Sequence, residues 1–339
     1  MIRRTSSFPA ATANTDEGRP TALVFIDMPA CGGAVLDAGL PLNRQRRGGR
    51  RGPEELFEGV GGISPRDVDN LRRAARKVNP KGLLLLRGPF PFAIDALLAE
   101  QLTDKRELRY ITFLREPVDR AISHYLYALD QPLRGLRPLP CDTSFDEAVG
   151  TGYIQDNLQT RMLSGSLEPS GEVNDAMLED AKRNLRERFV YFGLAERLAE
   201  SLVLARLRLE LGTTIYRGEP ALDDPTALGH DVSEETRTAA TRANWYDAEL
   251  YRYARELFSG AHERKRLEFQ CEVAAVDASR TNGEIEVTAP RAPAFEGGER
   301  EWQMLVGARA EGLRLEWELA GDGALATVGV GESGKAPHG

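Results

Sequence analysis

The chain has 339 residues, of which 41% are hydrophobic and 28% charged, and its net charge is -8. That length carries one large domain and a smaller one, and the acidic balance excludes a protein that coats nucleic acid non-specifically. Three cysteines (Cys31, Cys141, Cys271) and four histidines (His124, His230, His262, His338), none at ligand spacing, exclude a disulfide framework and a metal site.

Residues 1–20 are polar and lack the apolar core of a secretory signal, so they read as a disordered leader. No stretch reaches the roughly 18 apolar residues that a membrane span needs. A cytoplasmic protein is expected, with no membrane span and no nucleic-acid partner. Ala22-Leu23-Val24-Phe25-Ile26 is a continuous apolar run, as in a strand buried on both faces. It ends at Asp27-Met28-Pro29. Cys31-Gly32-Gly33 follows, then a short helical pattern through Ala34, Val35 and Leu36: a strand, a tight loop and a helix.

Arg44, Arg46, Arg47, Arg50 and Arg51 crowd one loop. Ser64-Pro65-Arg66-Asp67 has the cap, the first-turn proline and the acid of a helix start, and predicts a helix to about Lys77. Leu83–Leu86 predicts a second buried strand ending in Arg87-Gly88-Pro89, and Ala93–Leu102 a helix. Tyr110–Leu114 predicts a third strand with Arg115 at its end. Pro117 then opens a helix with Val118, Ala121, Ile122, Tyr125, Leu126 and Leu129 on one stripe. Ser144 and Glu147 have capping-box spacing. Helices are expected near 154–163 and 175–187, a fourth strand at Phe189–Leu194, a long helix from Glu196 to Leu211 and a last one ending near Phe258.

After about residue 262 the pattern changes. Leu267–Val273, Glu284–Val287 and Leu313–Leu319 alternate apolar and polar, which predicts half-exposed antiparallel strands. The expected fold class is therefore α/β: a P-loop-like parallel sheet flanked by helices, with a small C-terminal β appendage. The expected division is a leader over 1–20, a main domain over 21–262, the appendage over 263–332 and a tail over 333–339. The β region is also the expected surface for any oligomer.

The most informative pair is Arg115 and Ser123, eight residues apart. Open α/β sheets place ligands at the carboxyl ends of their strands. A guanidinium fork and a hydroxyl at that place suit a terminal phosphate. The competing structural reading has Arg115 capping the sheet against Glu116 or Asp119 and Ser123 as a small packing residue.

Thr112-Phe113-Leu114-Arg115-Glu116-Pro117-Val118-Asp119-Arg120-Ala121-Ile122-Ser123-His124-Tyr125 resembles the 3′-phosphate motif of sulfotransferases. The group it is most similar to includes the heparan-sulfate uronosyl 2-O-sulfotransferases and bacterial relatives. Asp156–Gly165, containing Arg161, resembles the segment that closes the family's nucleotide site. Phe192–Arg197 resembles its last core strand and exit, and Asn244-Trp245-Tyr246-Asp247 with Leu250-Tyr251 its final helix. The resemblance spans about residues 21–260. It implies 3′-phosphoadenylyl sulfate (PAPS) as sulfuryl donor, adenosine 3′,5′-bisphosphate (PAP) as product, no metal, and Arg115, Ser123 and Arg161 among the nucleotide contacts.

The family's first strand leads into Pro-Lys-Thr-Gly-Gly-Thr-Ser, which holds the 5′-phosphosulfate. Here the residues are Pro29-Ala30-Cys31-Gly32-Gly33-Ala34-Val35. The backbone of Cys31, Gly32, Gly33, Ala34 and Val35 remains as an anion cradle. Ala30 stands in place of the lysine, and one such lost contact costs about 2.7–4 kcal/mol of barrier. Pro89 stands where the family often has the histidine that serves as base. Arg87, Asp27 and His124 are the candidates to take over, with the arginines of 44–51 as a lid. Cys31 could be a reactive thiol, although a packing role competes. Two functions stay open: a PAPS-dependent transferase acting on a saccharide or small-metabolite hydroxyl, and an impaired homologue acting as a nucleotide-binding or scaffold protein. A kinase-like enzyme is disfavoured, because no Gly-Lys-Ser/Thr is present.

Overall fold

A computed structural model describes residues 21–33, 69, 73, 83–101, 107–130, 139–165, 171–209, 214–217, 232–260, 284–287, 302–306, 315–318 and 327–330. The strands are β1 (Thr21–Ile26), β2 (Leu83–Gly88), β3 (Glu107–Leu114), β4 (Phe189–Leu194), β5 (Thr214–Arg217), β6 (Glu284–Val287), β7 (Trp302–Val306), β8 (Leu315–Glu318) and β9 (Thr327–Val330). The helices are α1 (Ile94–Gln101), α2 (Pro117–Asp130), α3 (Phe145–Gly150), α4 (Leu158–Ser164), α5 (Asp175–Glu187), α6 (Leu198–Leu209), α7 (Glu234–Ala243) and α8 (Trp245–Gly260). A 3-10 turn, Ala195–Arg197, leads into α6.

The fold is α/β. One sheet has the order β4-β3-β1-β2-β7, and every neighbouring pair in it is parallel. Ala22, Val24, Phe25 and Ile26 of β1 and all of β4 are buried, as strands covered on both faces must be. Each large apolar side chain so buried contributes about 1.5–3 kcal/mol. On β4 the sheet tolerates no side chain at Gly193, where a Cβ would lie 2.4 Å from the Phe113 ring and 2.6 Å from the Tyr191 hydroxyl.

Strand order decides where a ligand can sit. From β1 the chain moves to β2 on one side, and from β3 it moves to β4 on the other. The carboxyl ends of β1 and β3 therefore flank the switch-point crevice of the sheet. A second cluster of buried residues joins α2 to α3 and α7 through Ala121, Ile122, Tyr125, Phe145, Ala148 and Ala240. Ser144 and Glu147 form the capping box at the start of α3.

The last helix expected before Phe258 is in fact two, α7 and α8, broken at Asn244. In the C-terminal stretch, β6 pairs antiparallel with β5, β8 with β9, and β7 adds to the main sheet beside β2. Two strands beyond residue 262 thus hydrogen-bond to strands before it. The expected strand at Leu267–Val273 and the expected helix through Ala34, Val35 and Leu36 lie outside the described residues.

Candidate active site

Asp27, Arg87 and Arg115 all stand at strand ends on the same edge of the sheet. Ile26 pairs with Gly88 on one side and Thr112 on the other, and the Thr112 hydroxyl donates to the Ile26 carbonyl at 2.8 Å. Asp27 continues that line, its N–H donating to the Gly88 carbonyl at 2.9 Å. Beyond it the chain turns through two left-handed residues, Ala30 (φ 60°) and Gly32 (φ 78°). Gly33 then folds back onto Asp27 so closely that a Cβ there would meet Asp27 Oδ1 at 2.4 Å and the Phe25 ring at 2.8 Å.

This loop is tied to the end of β3. Arg115 is 5% exposed, and its Nη1 donates to the Ala30 carbonyl at 3.1 Å. The left-handed backbone at Ala30 thus turns a carbonyl toward the guanidinium. Gln159 of α4 pairs with the Arg115 main chain in both directions: N–H to Oε1 at 3.1 Å, and Nε2 to the carbonyl at 3.0 Å. The Cys31 thiol points at the same Oε1, at 3.9 Å. Glu116 caps the first turn of α2 by accepting from the Asp119 N–H at 2.8 Å.

Below the loop lies a buried polar knot. Asp247 is fully buried and accepts from the N–H groups of Gln159 (3.0 Å) and Thr160 (2.7 Å). Asn157 Oδ1 accepts from the N–H groups of Tyr246 (2.8 Å) and Asp247 (3.2 Å). Asn244 Oδ1 accepts from the Asn157 N–H and from Arg120 Nη2. Arg120 is fully buried, and its Nε and Nη1 have no hydrogen-bond partner among the described residues. Burial pushes its pKa down, while Asp247 opposes the shift. Burial raises the Asp247 carboxyl, with Arg120 opposing. Arg120 thus feels both the Asp247 carboxylate and the like charge of the buried Arg115 guanidinium, which leaves the interior next to the loop electropositive and suited to an anion.

The expected site residues fall into separate groups. Arg115, Cys31, Gly32 and Gly33 come together as described. Ser123 is 4% exposed on the inward side of α2. Asp27 and Arg87 meet each other: Nε and Nη2 both donate to Oδ2, at 2.9 and 2.6 Å, and Arg87 lies over the Phe25 ring. His124 is buried with neither ring nitrogen bonded among the described residues, and burial with nearby Arg120 pushes its pKa down to about 3. Arg161 bonds the Asp156 carbonyl, the Asp156 carboxylate and the Gly171 carbonyl at 2.7–2.9 Å, fastening its own segment. Burial raises the Cys31 thiol to about 12, which keeps it protonated and unreactive at neutral pH. Ala34, Val35 and the arginines of 44–51 lie outside the described residues.

Reasoning from the sequence missed Gln159, Asn157, Asp247 and Asn244 as the frame of this site. The available signal was polar residues on segments that pack as core helices: Gln159 (1% exposed) and Asp247 (0%) sit among Leu158, Met162, Leu250 and Tyr251.

No protein-family model matches the chain. It is similar to heparan-sulfate 6-O-sulfotransferase 2 of Gallus gallus, at 27% identity over 206 residues, 52% of this chain and 50% of the relative. It is similar to heparan-sulfate 6-O-sulfotransferase 1 of Homo sapiens, at 28% over 206 residues, 52% and 49%. With heparan-sulfate 6-O-sulfotransferase 2 of Danio rerio the identity is 31% over 191 residues, 47% and 40%. The chain spans about half the length of the curated relatives it matches. These relatives carry 6-O names, whereas the sequence motif suggested the 2-O group. They also overturn the expected cytoplasmic location, because heparan-sulfate 6-O-sulfotransferases are Golgi-lumenal enzymes. No helix among the described residues is long and apolar enough to cross a membrane. Parallel sheet, strand-end arginine motif and matched relatives together make the chain similar to glycan sulfotransferases over about half its length.

Proposed function

We propose that this chain transfers a sulfuryl group from PAPS to a hydroxyl of a saccharide. The observation that carries the reading is the bond from Arg115 to the loop after β1, made in the switch-point crevice next to an electropositive interior. Arg115 and Ser123 would hold the 3′-phosphate, and the backbone of Cys31–Gly33 the 5′ end. In the reaction the acceptor oxygen forms a bond to sulfur, the bond from sulfur to the 5′-phosphate oxygen breaks, and the hydroxyl proton passes to a base. Asp27 is the proposed base: Arg87 occupies Oδ2, while Oδ1 lies against Gly33 of the loop. Arg87 then orients the carboxylate and adds positive charge beside the departing phosphate. His124, buried and neutral, takes no part.

A second reading rests on Ala30 and Pro89, which stand where the family has its lysine and its histidine. It makes the chain a nucleotide-binding homologue without turnover. Calorimetry with PAP tests the shared part: binding is expected, and its loss in Arg115→Ala. Equal affinity of that variant would remove Arg115 from the site. Turnover of PAPS with heparan-derived oligosaccharides then separates the two readings. PAP that binds, with PAPS that is never consumed, favours the second.

A further inference from the structure

The nucleotide reading assigns one end of the ligand to Arg115 and the other to the Cys31–Gly33 loop, and a single neutral side chain touches both. Gln159 is 1% exposed. Its amide matches the Arg115 peptide group for group: acceptor to N–H at 3.1 Å, donor to C=O at 3.0 Å. This bridge sits one residue past Leu114, the last residue of β3 to pair with β4, so it continues in side-chain form a ladder that the backbone has left. Oε1 is also the group that the Cys31 thiol faces, at 3.9 Å. The Gln159 N–H is fixed in turn by Asp247 Oδ2 at 3.0 Å.

We propose that Gln159 is a positioning residue that holds Arg115 at a fixed distance from the loop after β1 and so couples binding at the two ends of the nucleotide. The proposal rests on the PAPS reading above. It requires an amide in particular. A carboxylate at this position would face the Arg115 carbonyl with a second acceptor and add negative charge beside the anion. An apolar side chain would remove both amide bonds to the buried Arg115 N–H and C=O.

Calorimetry with three probes (PAP, adenosine 3′-monophosphate and adenosine 5′-monophosphate) tests it, read beside thermal unfolding. In Gln159→Met the affinity for PAP is expected to fall by about tenfold or more, and both monophosphates to weaken, because each end loses its fixed frame. Arg115→Ala should weaken PAP and the 3′-monophosphate while sparing the 5′-monophosphate. Gly193→Ala, on β4, is the stability control: it should lower the unfolding temperature and leave PAP affinity within twofold. Gln159→Glu serves as the second variant if Gln159→Met does not fold, with the same loss expected. A Gln159 variant that is destabilised like Gly193→Ala yet binds PAP as the wild type does would overturn the positioning role alone. Wild-type protein that binds no PAP would overturn both this proposal and the nucleotide reading beneath it.

Discussion

Asn157 and Asp247 cap each other's helices. The Asn157 amide oxygen accepts the second and third N–H groups of α8, and the Asp247 carboxylate accepts the second and third of α4. A helix start leaves its first N–H groups without internal partners. Here two starts meet in the interior, and each satisfies the other. Asn157 has no cap bond within its own helix and sits in the left-handed region (φ 45°), a conformation asparagine tolerates better than most residues. The positive start of α4 is thereby aimed at the buried Asp247 carboxylate, which adds to the attraction of Arg120.

Asp247→Ala should therefore be among the most damaging substitutions in the chain. It removes two charge-assisted acceptors and strips the counter-charge from Arg120, and such a change costs about 3–5 kcal/mol. Asp247→Asn keeps one acceptor and should cost less. Urea unfolding of the three proteins checks the order. Equal stability of Asp247→Ala and wild type would remove the knot from the account of the fold.

Acid should destabilise the protein through His124. In the unfolded chain the imidazole takes up a proton below its ordinary value of 6.5, whereas in the folded protein it resists until about 3. The unfolded state then binds more protons across that window, so stability rises with pH and is lost as pH falls. While the unfolded form is charged and the folded form neutral, the loss is about 1.4 kcal/mol per pH unit. His124→Leu cannot titrate. The stability of wild type relative to the variant should therefore fall with that slope from pH 6.5 downward. A pH-independent difference would mean that the ring has partners at acid pH.

The parts of this molecule that the sequence announced are those whose chemistry is local. Continuous apolar runs marked β1 and β4 because only a strand covered on both faces is apolar throughout. Pro117 and the stripe from Ala121 to Leu126 marked α2, and Ser144 with Glu147 marked the start of α3. The break at Asn244 was hidden, because apolar periodicity runs on through Trp245 and Tyr246, and the stop depends on Asn157, 87 residues earlier in the chain. The edge strand β7 was hidden as well, since nothing in Trp302–Val306 indicates a parallel partner at Leu83–Arg87. At the site, Arg115 and the glycine loop were legible as types of residue in a familiar order. Gln159 and Asp247 were not: a buried amide or carboxylate gives no periodic signal, and its role exists only once distant segments have come together.

The close approach of Gly33 to Asp27 makes a sharp test of the proposed base. In Gly33→Ala the new methyl would sit 2.4 Å from Asp27 Oδ1, a distance at which one of them must move. The carboxylate would shift against Arg87, and the loop would open. Turnover should fall by about 10²–10⁴, the span associated with a displaced general base. Asp27→Asn should lose a similar factor in kcat while PAP affinity stays within twofold. Steady-state kinetics and calorimetry on the two variants check this. Normal kcat in Asp27→Asn would assign proton removal elsewhere.

Position 30 decides whether the missing lysine is a defect or an adaptation. Ala30 already holds the left-handed conformation, which costs a non-glycine residue roughly 1–3 kcal/mol. Its carbonyl accepts from Arg115. Ala30→Gly should thus relieve strain and raise stability, with the Arg115 bond kept. Ala30→Lys bears the same backbone cost as alanine and adds a cation at the loop. If the cradle is intact, one restored electrostatic contact should raise kcat by about 10²–10³. Single-turnover rates with PAPS for wild type, Ala30→Gly and Ala30→Lys separate charge from backbone. A gain in lysine alone marks charge as what the loop lacks, whereas unchanged rates in both would show that Arg87 and Arg120 already supply it.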